Sequence, residues 1–180
     1  KYAIDASSLG DDGELAWTNL GFWKNTQNYP EACRQLADHL AQAVNLNSKD
    51  YLLDLGCGQG ASLLHWLKHY QPKSMSAVEL QAQCVNKFQN LIPEISQIFC
   101  GSFLNLKQFK FKHAFDVVMC IDAAYHSSLN SFLDSVTPVL NSNARLGFHY
   151  LMRAESCQNM TMLQEQKHRY LLKAADVTWD

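Results

Sequence analysis

The sequence predicts an α/β chain, a three-layer sandwich with a mostly parallel central sheet held between two layers of helices. Three observations carry that expectation. Short apolar runs alternate with stretches of helical period, a cluster of glycines falls where the first clear run gives way to a helix, and 180 residues at 47% hydrophobic composition suffice for one core. Strands separated by helices pair in parallel through right-handed crossovers.

The first long helix is expected over Pro30 to Val44, where Cys33, Leu36, Ala37, Leu40, Ala41 and Val44 share one face and Pro30 suits the first turn. Tyr51, Leu52, Leu53 and Leu55 read as a buried parallel strand. Ala61 to Tyr70 resumes helical spacing with Leu63, Leu64 and Leu67 inward, so Gly56, Gly58 and Gly60 fall at a strand-to-helix turn. Ser76 to Leu80 reads as a short strand ending in Glu79, and Gln81 to Leu91 as a helix burying Cys84, Val85, Phe88 and Leu91. A further helical stripe runs through Leu129, Phe132, Leu133, Val136 and Leu140, and Ala154 to Ala175 reads as helical, with Met160, Leu163, Tyr170 and Leu171 as its apolar contacts.

The glycine turn is a nucleoside-binding signal. Bare backbone lets a ligand approach, and positive φ costs glycine nothing. Gly56-Cys57-Gly58-Gln59-Gly60-Ala61 satisfies the loose dinucleotide pattern, which leaves a nucleotide-dependent oxidoreductase open as an alternative. Asp54, two residues before the first glycine, would repel a pyrophosphate and attract a cation. Glu79, about 20 residues past the glycines, can accept both hydroxyls of a ribose.

Asp54-Leu55-Gly56-Cys57-Gly58-Gln59-Gly60 resembles, without a gap, motif I of the class I S-adenosylmethionine-dependent methyltransferases. The resemblance implies a Rossmann-like fold and S-adenosyl-L-methionine as cofactor. It makes Ile98 to Phe103 the third strand and adenine-binding turn, with Gly101, Ser102 and Phe103 at the cofactor and Ser102 where many members carry an acid. It makes Phe115 to Asp122 the fourth strand, bringing Ile121 and Asp122 to the cofactor, and Leu146 to Leu151 the fifth. Asn19 to Trp23 is similar to the leader of the small-molecule branch, which includes natural-product, sterol and tocopherol enzymes, and Trp23 is then expected over the cofactor. The cofactor set so implied also contains Cys57 and Leu80. The domain reading is a lid or leader over 1–29, an S-adenosylmethionine-binding domain over 30–153 and a C-terminal helical segment over 154–180. Members of the family close the sheet with two more strands. Those are expected to be missing from this chain, with a homo-oligomer as one way to cover the edge.

Methyl transfer to oxygen, nitrogen or carbon of a small organic molecule needs alignment first and a base only for a weakly acidic acceptor. His126 is the candidate base and Tyr125 a group to orient the acceptor. Phe22, Trp23, Phe103 and Tyr125 are expected near the mouth. A non-catalytic module that binds the cofactor is the remaining alternative.

Composition narrows the partners. Lysine and arginine total 15 against 17 aspartates and glutamates, so there is no basic field for nucleic acid, and Lys107, Lys110, Lys112 and His113 read as a solvated loop. The six cysteines, Cys33, Cys57, Cys84, Cys100, Cys120 and Cys157, contain no CxxC pair and read as reduced, mostly buried thiols. His65 and His69 stand four apart but lack a third ligand, so no metal is expected and that helix face reads as solvated. No stretch approaches the ~20 apolar residues of a membrane span, which makes the cytoplasm the expected location.

Overall fold

The structure is a computed structural model that describes residues 5–151. Five strands, β1 (Tyr51–Leu55), β2 (Ser74–Glu79), β3 (Gln97–Cys100), β4 (Phe115–Cys120) and β5 (Leu140–Phe148), form an all-parallel sheet in the order β3-β2-β1-β4-β5. The helices are α1 (Tyr29–Ala43), α2 (Ala61–His65, prolonged by a π-helical turn over Trp66–Tyr70), α3 (Ala82–Leu91) and α4 (Leu129–Val136). Winding reverses between β1 and β4, and their carboxyl ends therefore open a crevice at the switch point.

Side chains alternate across a strand, which sorts the sheet into two cores. Leu52, Met75, Ala77, Val117 and Met119 face α1, α2 and α3 and meet Leu40, Leu63, Trp66 and Phe88. Leu53, Leu55, Val78, Val118 and Cys120 face the other way, onto Phe132 and Val136 of α4 and onto Leu106. The same alternation puts Asp54, two after Leu52, and Glu79, two after Ala77, on the first face. The register pairs Asp54 with Ala77 across β1 and β2.

The helix starts follow their caps. Asn28 accepts the Glu31 N–H at 2.9 Å ahead of α1, with Pro30 in the first turn. Ser128 does the same for Ser131 ahead of α4.

Several expected boundaries move. Leu140 belongs to β5, not to the preceding helix, because a turn containing Pro138 ends the helical run. The fifth strand thus spans Leu140–Phe148 instead of Leu146 to Leu151, and its register against β4 jumps between Phe115 and Val117 where Asn143 takes φ 64. Leu91 is exposed and Ile92 fills the core in its place. The helix face carrying His65 is not solvated: His65 is buried, its Nε2 lying 2.6 Å from Asp38 Oδ1, to which the Tyr70 hydroxyl also donates at 2.8 Å. His69 is exposed. The helical reading of 154–175 lies outside the described residues.

The close approach of α1 to β5 depends on Gly147. A Cβ there would stand 2.8 Å from Val44 Cγ1 and 3.1 Å from both Leu40 Cγ and Met119 Sδ. Gly147→Ala is expected to cost about 1–3 kcal/mol of unfolding free energy by overpacking, read from urea denaturation; an unchanged midpoint would show that α1 moves off without penalty.

Candidate active site

The crevice is a cleft of about 780 Å3. Its floor is the glycine turn and the ends of β1, β2 and β4, which bring Asp54, Gly56, Cys57, Gly58, Glu79, Leu80, Ile121 and Asp122 to one space. Ser102 and Phe103 also line it, as do Tyr125 and His126 on a turn of 3-10 helix after β4.

The glycine turn needs its glycines for two reasons. Gly60 has φ 97, and a Cβ there would meet Phe88 Cβ at 2.8 Å. Gly58 has φ 54, and a Cβ would fall 2.3 Å from Thr18 Oγ1, so the leader lies directly against the loop. The Gly58 amide donates to Glu79 Oε2 at 2.9 Å, and the Gln81 amide donates to Glu79 Oε1 at 2.8 Å.

Both acids are buried. Asp54, 1% exposed, receives the Ser62 hydroxyl at 2.9 Å and the Trp66 indole N–H at 2.7 Å, both on Oδ2. Burial pushes its carboxyl up to about 7, with those two hydrogen bonds opposing and the Glu79 charge adding to the rise. Burial also raises Glu79, against the pull of the Gln81 and Gly58 amides. Tyr125 is pushed up to about 12 by burial and then by Asp122.

Asp122 adopts φ 50 and accepts the Leu20 amide on Oδ2 at 2.6 Å, pinning the leader to the end of β4. Its other oxygen lies 3.5 Å from His149 Nδ1. The leader is otherwise tied to α1: Asn19 Nδ2 donates to the Cys33 carbonyl, the Tyr29 hydroxyl to the Trp17 and Asn19 carbonyls, and the Phe22 amide to Ala32. Ala16, Trp17, Thr18 and Asn19 form its wall of the cleft.

Three residues expected at the cofactor do not line this space. Trp23 is half exposed, its indole N–H turned back to the Leu20 carbonyl at 2.6 Å and its ring stacked on Tyr29; the leader presents Trp17 and Thr18 instead. Gly60 and Gly101 shape the backbone beside it, Gly101 because a Cβ would meet Phe109 at 2.9 Å. Phe22 packs on His39, away from the mouth. Ser62, Lys87 and Ser127 also line the cleft; sequence reasoning missed them, although Ser62 sits eight residues after Asp54 on the helix that the glycines launch. No cluster of three or more His, Cys, Asp or Glu suited to a metal occurs among the described residues.

The model of the family described as methyltransferase domain matches residues 52–143. The chain belongs to that family. Among curated proteins it is similar to erythromycin 3''-O-methyltransferase of Saccharopolyspora erythraea, 38% identical over 80 residues; the match covers 44% of this chain and 26% of that protein, so the chain spans about a quarter of the relative. Solved structures share the fold. Mycolic acid cyclopropane synthase CmaA1, complexed with SAH and CTAB, superposes with a TM-score of 0.71 at 18% identity over 94% of this chain and 61% of that one. CalS10, an amino pentose methyltransferase from Micromonospora echinaspora with bound SAM, gives 0.52 at 20% identity over 67% and 50%.

A carboxyl raised from 3.8 to about 7 by folding binds its proton more tightly in the native state, so stability falls as pH rises from about 4 to 7. Asp54→Asn should remove this part of the slope. Thermal melts of the unliganded protein across that range are expected to fall less in the variant than in the native chain; parallel curves would show that Asp54 ionises without penalty.

Proposed function

We propose that the cleft binds S-adenosyl-L-methionine and that the chain supports transfer of its methyl group to an oxygen, nitrogen or carbon atom of a small organic molecule. The observation that carries this reading is the pair of buried carboxylates on one face of the sheet, flanking a glycine turn whose central amide is already given to Glu79. Such a site attracts a cationic nucleoside. A dinucleotide would bring its pyrophosphate between two acids and find the Gly58 N–H engaged, which weighs against the oxidoreductase alternative. Family membership weighs toward catalysis and against a module that only binds.

The residues divide the work. Each Glu79 oxygen takes one backbone amide and keeps capacity for a ribose hydroxyl. Asp54 attracts the ammonium of the methionine part. The Ser102 oxygen accepts the Leu104 amide at 3.2 Å, so its hydroxyl can donate to an adenine nitrogen where an acid would accept from the amino group. When bound, the cofactor supplies a methyl sulfonium with a good leaving group, and the protein's share is chiefly alignment, with ~7–11 kcal/mol as the upper range. Tyr125, held protonated, orients the acceptor as a donor; His126 takes a proton from a hydroxyl acceptor. Thr18, Asn19 and Asp122 wall the cleft beside these groups.

In this reading 1–29 is the lid, 30–153 the cofactor-binding domain and 154–180 a C-terminal segment. The protein works in the cytoplasm on a small molecule, without nucleic acid. The unpaired thiols Cys33, Cys57, Cys84, Cys100 and Cys120 and the formal charge of −2 support these assignments. No described helix is long and apolar enough to cross a membrane.

Calorimetric titration should show binding of S-adenosylmethionine and its demethylated product and none of NAD, with Glu79→Ala weakening the former by ~1.5–3 kcal/mol. NAD binding alone would overturn the assignment. With labelled donor and a metabolite extract, methyl transfer to a hydroxyl acceptor should slow by ~10²–10⁴ in His126→Ala.

A further inference from the structure

Asp54 is costly where it stands. A wholly buried carboxylate is disfavoured, and a neutral amide would satisfy the same neighbours at lower cost. Its two side-chain donors, Ser62 Oγ and Trp66 Nε1, converge on Oδ2, and among the described residues neither they nor any other side chain donates to Oδ1. The carboxylate lines the cleft.

Trp66 itself is fully buried in the core beneath the sheet, twelve residues after Asp54, as the first residue of the π-helical turn that prolongs α2. Such turns widen a helix by one residue and re-aim its side chains. Here the indole N–H reaches the end of β1. A phenyl ring at this position would offer Asp54 no donor; the indole supplies one at 2.7 Å.

We propose that Trp66 is a positioning residue for the methyl donor, its indole N–H favouring the charged form of Asp54 and turning it so that the second carboxylate oxygen faces the ammonium of the bound cofactor. The inference rests on the functional reading above. The other groups facing Asp54 do not substitute for it. Glu79, from β2, opposes ionisation; Cys57, from the glycine turn, and Cys120, from β4, are kept as neutral thiols by burial. Lys87, the cleft's lysine, gives its ammonium to Gln59 Oε1 at 3.1 Å. Ser62 and Trp66 are thus the groups that favour the charged form, and Trp66 is the stronger.

Trp66→Phe removes the donor while keeping an aromatic ring. Two measurements follow: titration of the Asp54 carboxyl carbon by NMR in the unliganded protein, and the pH dependence of S-adenosylhomocysteine affinity by calorimetry. The Asp54 midpoint should move up in the variant, and affinity at neutral pH should fall about ten-fold, the size of a lost hydrogen bond to a charged group, with the binding midpoint shifted the same way. Ser62→Ala should do the same to a smaller degree and carries the comparison if Trp66→Phe does not fold. In an Asp54→Asn background Trp66→Phe should have no further effect on affinity. An unmoved Asp54 midpoint, or a loss of affinity that persists in full in that background, overturns the proposal, since a packing role alone would produce both. If the native protein binds neither form of the cofactor, the functional reading falls instead, and the NMR titration still tests the link between indole and carboxylate.

Discussion

Two carboxylates buried on one face of a parallel sheet are the constraint around which the rest is arranged. Alternation along β1 and β2 puts Asp54 and Glu79 on the same side, at the strand ends, with no basic side chain among the groups that act on either. Burial raises both, and the Glu79 charge adds to the rise at Asp54. Glu79 is eased by the amides of Gly58 and Gln81, and Asp54 by Trp66 and Ser62. Neither set supplies a positive charge. A cationic ligand completes the site electrostatically, and an anionic one adds to a space already lined by Asp54, Glu79 and Asp122.

The glycine turn and the leader form one construction. Gly58 gives its amide to Glu79 and leaves the space of a Cβ to Thr18, so the leader can lie against the loop only because this residue has no side chain. The leader is held to α1 by several hydrogen bonds and to the sheet by the Leu20–Asp122 bond, spanning 102 residues. Asp122 therefore serves two surfaces at once, lining the cleft and fixing its wall. Its left-handed backbone at φ 50, unusual for a residue other than glycine, is what turns the carboxylate toward the leader.

The parts that could be read from the sequence are those whose geometry is local. The β1 turn, its acid and the helix after it lie within twenty residues, and a strand period of two with a glycine turn leaves little freedom in how they fold. Glu79 follows from the crossover length. The errors arise where distant segments decide. Trp23 looked like the lid residue by position, yet packing on Tyr29 takes it out of the cleft and Trp17 and Thr18 stand in its place. His65 looked solvated beside His69, yet Asp38 on α1 gives it a buried partner. The π-helical turn that aims Trp66 at Asp54 leaves no mark in apolar periodicity, because Trp66 also counts as ordinary core.

The acceptor end is built differently from the cofactor end, and that difference governs what the fold can say about chemistry. Every group assigned to the nucleoside is on β1, β2 or the turns directly after the strands, where the family match and the fold likeness agree. The groups proposed to face the acceptor come from the turn Ala124–His126, the leader and Asp122, the last two joined by the Leu20–Asp122 bond. A cyclopropane synthase and an amino pentose methyltransferase share the sheet, so the sheet by itself does not name an acceptor. In this chain the turn after β4 brings His126 and a Tyr125 kept protonated by burial and by the nearby Asp122 to the cleft.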